Sequence, residues 1–176
     1  MAWMRRWLPI VLAAACAVVV TWSNLTAHAQ PASATATAEK KTLPYDESAD
    51  PQKDLQNALV AARRENKRVL VVFGANWCPD CRALDREFHA GGKTEALVAA
   101  RYEVVKVDVG RFDKNLDFVK VYGEPIKKGI PSVVVVTPTN EVVYQTRAGE
   151  LADARSMGAD GIYTFFKDKA DRPLGS

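Results

Sequence analysis

Apolar positions recur with two different periods between residues 51 and 169, and these periods predict alternating helices and strands. Apolar residues three or four apart indicate helices, whereas short runs of β-branched residues indicate strands. This order predicts an α/β fold in which helices cover both faces of a central mixed sheet. The expected helices span 51–66, 78–90, 94–100, 116–122 and 157–169, and the expected strands span 68–74, 102–109, 133–136 and 141–146.

The first 29 residues have the layout of a secretory signal peptide. Arg5 and Arg6 precede an apolar run, and Ala27-His28-Ala29 follows as a small-x-small cleavage site. An uncleaved membrane anchor is the alternative, but the run has about 15 clearly apolar residues where a span needs about 20. Lipid attachment at Cys16 is disfavoured because the apolar run continues past it. We therefore expect export and cleavage after Ala29.

The remaining chain is expected to hold one domain. Residues 30–47 lack periodic large apolar residues and are expected to form a flexible linker, with Leu43-Pro44-Tyr45 extended against the domain. Residues 48–170 form the predicted domain, and 171–176 a fraying tail. Without the signal peptide the chain has 22 basic residues (24 less Arg5 and Arg6) and 21 acidic ones. This balance disfavours a nucleic-acid partner.

The chemistry of the chain centres on Trp77-Cys78-Pro79-Asp80-Cys81. Two cysteines at this spacing can form a disulfide or bind a metal ion. A predicted strand precedes the motif and a predicted helix follows it, so Cys78 lies near a helix N-terminus, where backbone N–H groups stabilise a thiolate. A disulfide closing so short a loop constrains little of the unfolded chain, so a working dithiol is favoured over a structural disulfide.

A second motif, Gly129-Ile130-Pro131-Ser132, follows about 50 residues later and precedes a strand hairpin. Together the two motifs and the element order resemble the thioredoxin family over residues 51–169. With the export signal, the chain is most similar to periplasmic thioredoxin-like thiol–disulfide oxidoreductases. These include stand-alone reductases and the C-terminal thioredoxin domain of thiol–disulfide interchange proteins. The resemblance implies a thioredoxin fold.

The resemblance also implies roles for the site residues. Cys78 is expected to be the exposed nucleophile and Cys81 the buried resolving thiol, with a cis peptide bond before the proline of the second motif. The loop at that bond is expected to pair with an extended substrate. No cofactor or bound metal is expected, and His89 is expected to be an exposed helix residue. The expected substrate-binding residues are Trp77, Pro79, Asp80, Ile130 and Pro131.

Two positions bear on the direction of electron flow. The carboxylate of Asp80, and the lack of a histidine between the cysteines, favour a reductant over an oxidant. Val72 stands where thioredoxins commonly bury an aspartate that helps to deprotonate the resolving cysteine, while Lys106 matches the lysine partner of that acid. Lys106 is expected to reach solvent; if buried without the acid, it would lower a thiol pKa and weaken the reductant prediction.

The sequence therefore predicts a monomeric exported enzyme that reduces disulfides of exported proteins, with a membrane thiol–disulfide relay as its electron donor. A thiol oxidant or isomerase of exported proteins is the first alternative. A Cu(I)-binding protein of the same fold, using both cysteines as soft ligands, is the second.

Overall fold

The computed structural model describes residues 43–170, which form a four-stranded sheet with helices on both faces. The sheet order is β2-β1-β3-β4, in which β1 pairs parallel to β2 and antiparallel to β3, and β3 pairs antiparallel to β4. The predicted mixed sheet is confirmed. The signal peptide expected at 1–29, most of the linker and the tail at 171–176 lie outside the described residues. The strands are β1 (Arg68–Gly74), β2 (Tyr102–Asp108), β3 (Ser132–Val136) and β4 (Val142–Gln145).

All five predicted helices are present. α2 ends three residues before its predicted end, and α5 is interrupted at Gly158, whose φ of 65° and ψ of 175° are not helical. None of the helices within residues 43–170 is long and apolar enough to cross a membrane. The helices are α1 (Pro51–Glu65), α2 (Pro79–Glu87), α3 (Lys93–Arg101), α4 (Leu116–Val121) and α5 (Ala154–Ala170), and a 3-10 turn spans Pro125–Lys128.

Strand β1 is an inner strand of the sheet, and all seven of its residues are buried. Side chains alternate along a strand, so Val71 and Phe73 pack in one core with α1 and α4, while Leu70 and Val72 pack in a second core with α2, α3 and α5. This burial on both faces explains the unbroken apolar run from Val69 to Phe73. The strand thereby fixes the position of the motif that follows it.

The segment before α1 is packed more tightly than a linker. The side chain of Asp50 caps α1 by accepting the N–H groups of Gln52 and Lys53. Upstream, Tyr45 is only 3% exposed; its N–H donates to Asn76 Oδ1 (3.0 Å), and Asn76 Nδ2 donates to the Tyr45 carbonyl (2.9 Å). Tyr45 packs against the domain, as expected, but its backbone bends there and is not extended.

Candidate active site

The two cysteines lie where β1 runs into α2. Cys78 is the N-cap of α2, and Pro79 occupies the first helical position. A backbone N–H at that position has no partner within the helix, so proline costs no helical hydrogen bond there. The Cys81 N–H donates to Cys78 Sγ at 3.1 Å. The Cys78–Cys81 disulfide is formed, with the two Cα atoms 5.3 Å apart. The helix N-terminus therefore directs a backbone donor at the first sulfur, as the sequence indicated.

Both cysteines are buried in this disulfide form. Cys81 is fully covered, and Cys78 is only 3% exposed, so the expectation of an exposed Cys78 is wrong for this state. The reason is a contact from the opposite side of the site: Cys78 Sγ lies 3.5 Å from the Ile130 carbonyl oxygen. Only a narrow part of Cys78 is left accessible.

The loop that covers Cys78 contains a cis peptide bond between Ile130 and Pro131. Buried hydroxyl groups fix this loop to the sheet. Ser132 Oγ donates to the Pro125 carbonyl (2.9 Å) and lies 2.5 Å from Thr146 Oγ1, which accepts the Val133 N–H at 3.0 Å. The sequence did not reveal this role for Thr146, because a single threonine at the end of a strand carries no distinctive signal.

Trp77 forms an exposed aromatic edge beside the cysteines. Trp77 is 45% exposed. Its indole Nε1–H donates to the Gly110 carbonyl at 2.8 Å. The ring edge meets Phe112, itself 43% exposed, with the ring centroids 6.3 Å apart. Pro79 is half-buried at the start of α2. The hydrogen bond holds the indole in place while leaving its ring available for contact.

Asp80 does not lie at the surface expected for substrate. Its side chain is 11% exposed, and its Oδ1 accepts both the Arg155 N–H and the Arg155 Nε–H at 3.0 Å. Burial alone would raise the pKa of Asp80, but these two hydrogen bonds and the guanidinium charge hold that pKa below its usual value. Asp80 thus joins α2 to α5, and its negative charge acts on the thiols less than the sequence suggested.

Lys106 is neither free in solvent nor buried without an acid. It forms an ion pair with Asp85, one helical turn after Cys81, and its side chain is 26% exposed. In the register of β1 and β2, Val72 is the residue that pairs with Lys106. The acidic partner of Lys106 is therefore Asp85 on α2 and not a residue of β1. His89 is exposed, as predicted, but it lies two residues beyond the end of α2 and not in the helix. Its Nδ1 lies 2.8 Å from the Asp85 carbonyl.

Sequence reasoning missed three residues that shape the site. Arg155 is 75 residues from Asp80 along the chain, and no local pattern connects the two. Asn76 holds the segment before α1 against the motif. Tyr45 carried the one available signal, since it is a large aromatic residue at the end of a stretch poor in such residues.

Comparisons with known proteins agree with this geometry. The model of a thioredoxin-like family matches residues 50–138. A disulphide isomerase from Xylella fastidiosa Temecula1 is 52% identical in its crystal structure, with a TM-score of 0.70, and the match covers 73% of this chain and 97% of that one. A comparison with curated proteins finds no match.

Two further solved structures are more distant. The oxidised C-terminal domain of DsbD from Neisseria meningitidis is 18% identical, with a TM-score of 0.46 and coverage of 69% of this chain and 97% of that one. A thioredoxin from Thermus thermophilus is 24% identical, with a TM-score of 0.40 and coverage of 60% and 84%.

The chain belongs to the thioredoxin-like family. Its class is that of the thiol–disulfide oxidoreductases, with a CxxC-spaced pair formed by Cys78 and Cys81.

The ion pair between Asp80 and Arg155 predicts a pH-dependent contribution to stability. Because the pKa of Asp80 is lowered in the folded protein, the pair stabilises the fold above the unfolded-state pKa and loses this effect as the pH falls through the folded-state value. Arg155→Ala should lower the free energy of unfolding by about 0.5–1 kcal/mol near neutral pH. Urea unfolding from about pH 7 to about pH 2 should show the difference from wild type shrinking towards zero.

Arg86→Ala is the matched control, because Arg86 is exposed on α2. A loss in Arg155→Ala that is independent of pH, or an equal loss in the control, would contradict a role for the ion pair.

Proposed function

We propose that this protein is an exported thiol–disulfide oxidoreductase that reduces disulfides of exported proteins by dithiol exchange. The observation that carries the proposal is the placement of Cys78 Sγ. It lies between the Cys81 N–H at the start of α2 and the Ile130 carbonyl of the loop with the cis bond. The Cys78 sulfur, which we assign as the nucleophile, therefore lies close to a backbone carbonyl group of that loop.

The reaction uses the two sulfurs in sequence. In the reduced protein, the Cys78 thiolate attacks one sulfur of a substrate disulfide; a Cys78–substrate bond forms, and the other substrate sulfur leaves as a thiolate. The Cys81 thiolate then attacks Cys78 Sγ, so that the Cys78–Cys81 bond forms and the second substrate thiolate leaves. Two electrons pass to the substrate, and its thiolates take up protons from solvent.

The surroundings of Cys78 support reduction as the preferred direction. A thiolate is stabilised by the Cys81 N–H, but the Ile130 carbonyl, 3.5 Å from the sulfur, favours a protonated thiol that can donate to it. Moderate thiolate stabilisation leaves the dithiol a good electron donor. Asp80 adds less to this preference than expected, because Arg155 balances its charge.

The substrate surface is proposed to run along the loop at Ile130 and Pro131 and past the aromatic edge at Trp77. A backbone segment extended beside the loop would place its cysteine at the accessible part of Cys78, and the exposed Trp77 and Phe112 rings offer apolar contact to neighbouring side chains. Pro79, which follows Cys78 at the start of α2, is half-buried and belongs to the same proposed surface. These groups suit unfolded or flexible protein segments.

Export and the electron donor belong to the same proposal. The layout of residues 1–29 supports secretion to the periplasm, with retention as a membrane anchor as the alternative. After each turnover the Cys78–Cys81 disulfide must accept two electrons from another dithiol. A membrane thiol–disulfide relay would supply them in that compartment, and the enzyme would act as a monomer.

Disulfide isomerisation or thiol oxidation is the second candidate function. It is favoured by the 52% identity to a disulphide isomerase from Xylella fastidiosa Temecula1. An oxidant or isomerase needs a more stable reduced form, and therefore a less negative reduction potential, than a reductant. Carriage of Cu(I) is less well supported, since the Ile130 carbonyl packs against Cys78 Sγ where a metal would have to bind.

Cys81→Ser should accumulate mixed disulfides with substrate proteins, because the attack that releases substrate from Cys78 is removed. Expression of the full chain with its native leader, followed by acid quenching, thiol blocking and non-reducing electrophoresis, should show reductant-sensitive adducts, and mass spectrometry should identify the partners. Cys78→Ser is the matched control and should show none. Equal adducts in both variants would contradict the assignment of Cys78 as nucleophile.

Equilibration of the purified protein with glutathione buffers should give a reduction potential near thioredoxin's value of about −270 mV. A value of about −180 mV would favour the isomerase candidate instead. A value of about −120 mV, that of a strong oxidant, would contradict a reductase.

A further inference from the structure

The chain between β2 and α4 forms a tight loop at residues 110–115, beside the cysteine motif. The N–H groups of Phe112 and Asp113 both donate to the Val109 carbonyl, at 2.9 and 3.1 Å, so the loop closes on its own backbone. The first carbonyl of the loop accepts the Trp77 Nε1–H at 2.8 Å. The loop is therefore held against the motif by a hydrogen bond to one of the motif's own residues.

Phe112 has an unfavourable backbone conformation in this loop. Its φ is 66°, in the left-handed region that bulky side chains rarely adopt. Burial does not account for this conformation, because Phe112 is 43% exposed and its ring meets the edge of the Trp77 ring with the centroids 6.3 Å apart. Such backbone strain is concentrated at sites that bind ligands. The loop thus holds an apolar ring at the surface next to the cysteines, at a cost to its own backbone.

Arg111 adds a positive charge to the same surface. Its guanidinium carbon lies 5.8 Å from the centroid of the Trp77 ring, as in a cation–π contact. Within the described part of the chain this guanidinium makes no ion pair, whereas Lys114 of the same loop is paired with two carboxylates. The carboxylate of Asp113 turns back to the loop and accepts the Arg111 backbone N–H at 2.8 Å. The charge of Arg111 is therefore available to a partner.

The acidic residue of the motif does not oppose an acidic partner. The side chain of Asp80 is 11% exposed and is paired with Arg155, whose own side chain is 58% exposed. One arginine thus contacts the motif before Cys78, at Trp77, and another contacts it after Cys78, at Asp80. This arrangement of charge favours a negatively charged substrate segment.

We propose that Arg111 and Phe112, together with Trp77, form a specificity site for substrate segments that carry a large apolar side chain and a carboxylate beside the reactive cysteine. The inference rests on the proposed dithiol exchange and names the substrate class for it. The apolar side chain packs against the Phe112 and Trp77 rings, and the carboxylate pairs with the Arg111 guanidinium. These contacts raise the rate at which Cys78 meets such a substrate and leave the reactivity of the thiol unchanged.

The site is tested with synthetic peptides whose single cysteine carries a 2-thiopyridyl group in a disulfide. The Cys78 thiolate of the reduced full-length protein attacks the peptide sulfur, a Cys78–peptide bond forms, and the released pyridine-2-thione is followed by absorbance. The parent peptide has phenylalanine and glutamate on both sides of its cysteine. Further peptides replace both glutamates with lysine, both phenylalanines with alanine, or all four residues with alanine and glutamine. The leaving group is constant, so differences in rate report recognition.

The wild-type protein should react about fivefold faster with the glutamate peptide than with the lysine peptide at low ionic strength. This preference should disappear as ionic strength rises from about 0.01 M to about 1 M, because the Debye length falls from about 30 Å to about 3 Å. Arg111→Gln should abolish the preference for glutamate. Phe112→Asn, which removes the ring and suits the left-handed backbone, should abolish an about fivefold preference for phenylalanine over alanine. Both variants should keep the wild-type rate with the alanine–glutamine peptide.

Two control variants remove comparable groups elsewhere. Arg101→Gln removes an exposed arginine at the end of α3, just before the start of β2, whereas the loop follows the opposite end of that strand. Val60→Ala shortens an apolar side chain on α1 that is 54% exposed. Both controls should keep both preferences.

Equal wild-type rates with all the peptides, or preferences that survive in Arg111→Gln and Phe112→Asn, would overturn the specificity site and leave dithiol exchange standing. Failure of the wild-type protein to release the thione from any peptide would instead refute the proposed dithiol exchange.

Discussion

The contact between Cys78 Sγ and the Ile130 carbonyl links two segments 52 residues apart, and the site depends on it. It follows from the antiparallel register of β1 and β3, which pairs Phe73 near the end of one strand with Ser132 at the start of the other. The cysteine motif and the cis-bond loop consequently emerge at the same edge of the sheet. Burial of β1 on both faces keeps this edge rigid, and the hydroxyl groups of Ser132 and Thr146 hold the loop.

The two sides of the disulfide have different electrostatic surroundings. In front, Cys78 meets neutral backbone dipoles and an exposed aromatic edge, which suits approach by a flexible protein segment. Behind, Cys81 is fully covered, and a Cβ at Gly74 would touch both its sulfur and the Tyr45 hydroxyl. Arg155 balances the one acidic side chain inside the motif.

The order of helices and strands could be predicted because hydrophobic periodicity and capping are local properties of the chain. The cysteine motif and the Ile130-Pro131 motif were recognisable for the same reason. The predictions that were wrong concerned contacts between residues far apart in the chain. The loop that contacts Cys78 is 52 residues away. Asp80 is oriented by Arg155 on the last helix. The packing of Tyr45 against the domain was expected, but its hydrogen bonds to Asn76 were not, because no local pattern connects two residues 31 apart.

We propose that the start of α2 makes Cys78 the reactive sulfur and leaves Cys81 as the resolving thiol. The most direct measurement is the rate at which iodoacetamide modifies each cysteine of the reduced protein across pH, followed by peptide mass spectrometry. We expect Cys78 to be modified first, with its rate rising at a lower pH than for an ordinary thiol, while Cys81 stays unmodified. Modification of Cys81 first, or of both at equal rates with a midpoint near about pH 8.5, would contradict it.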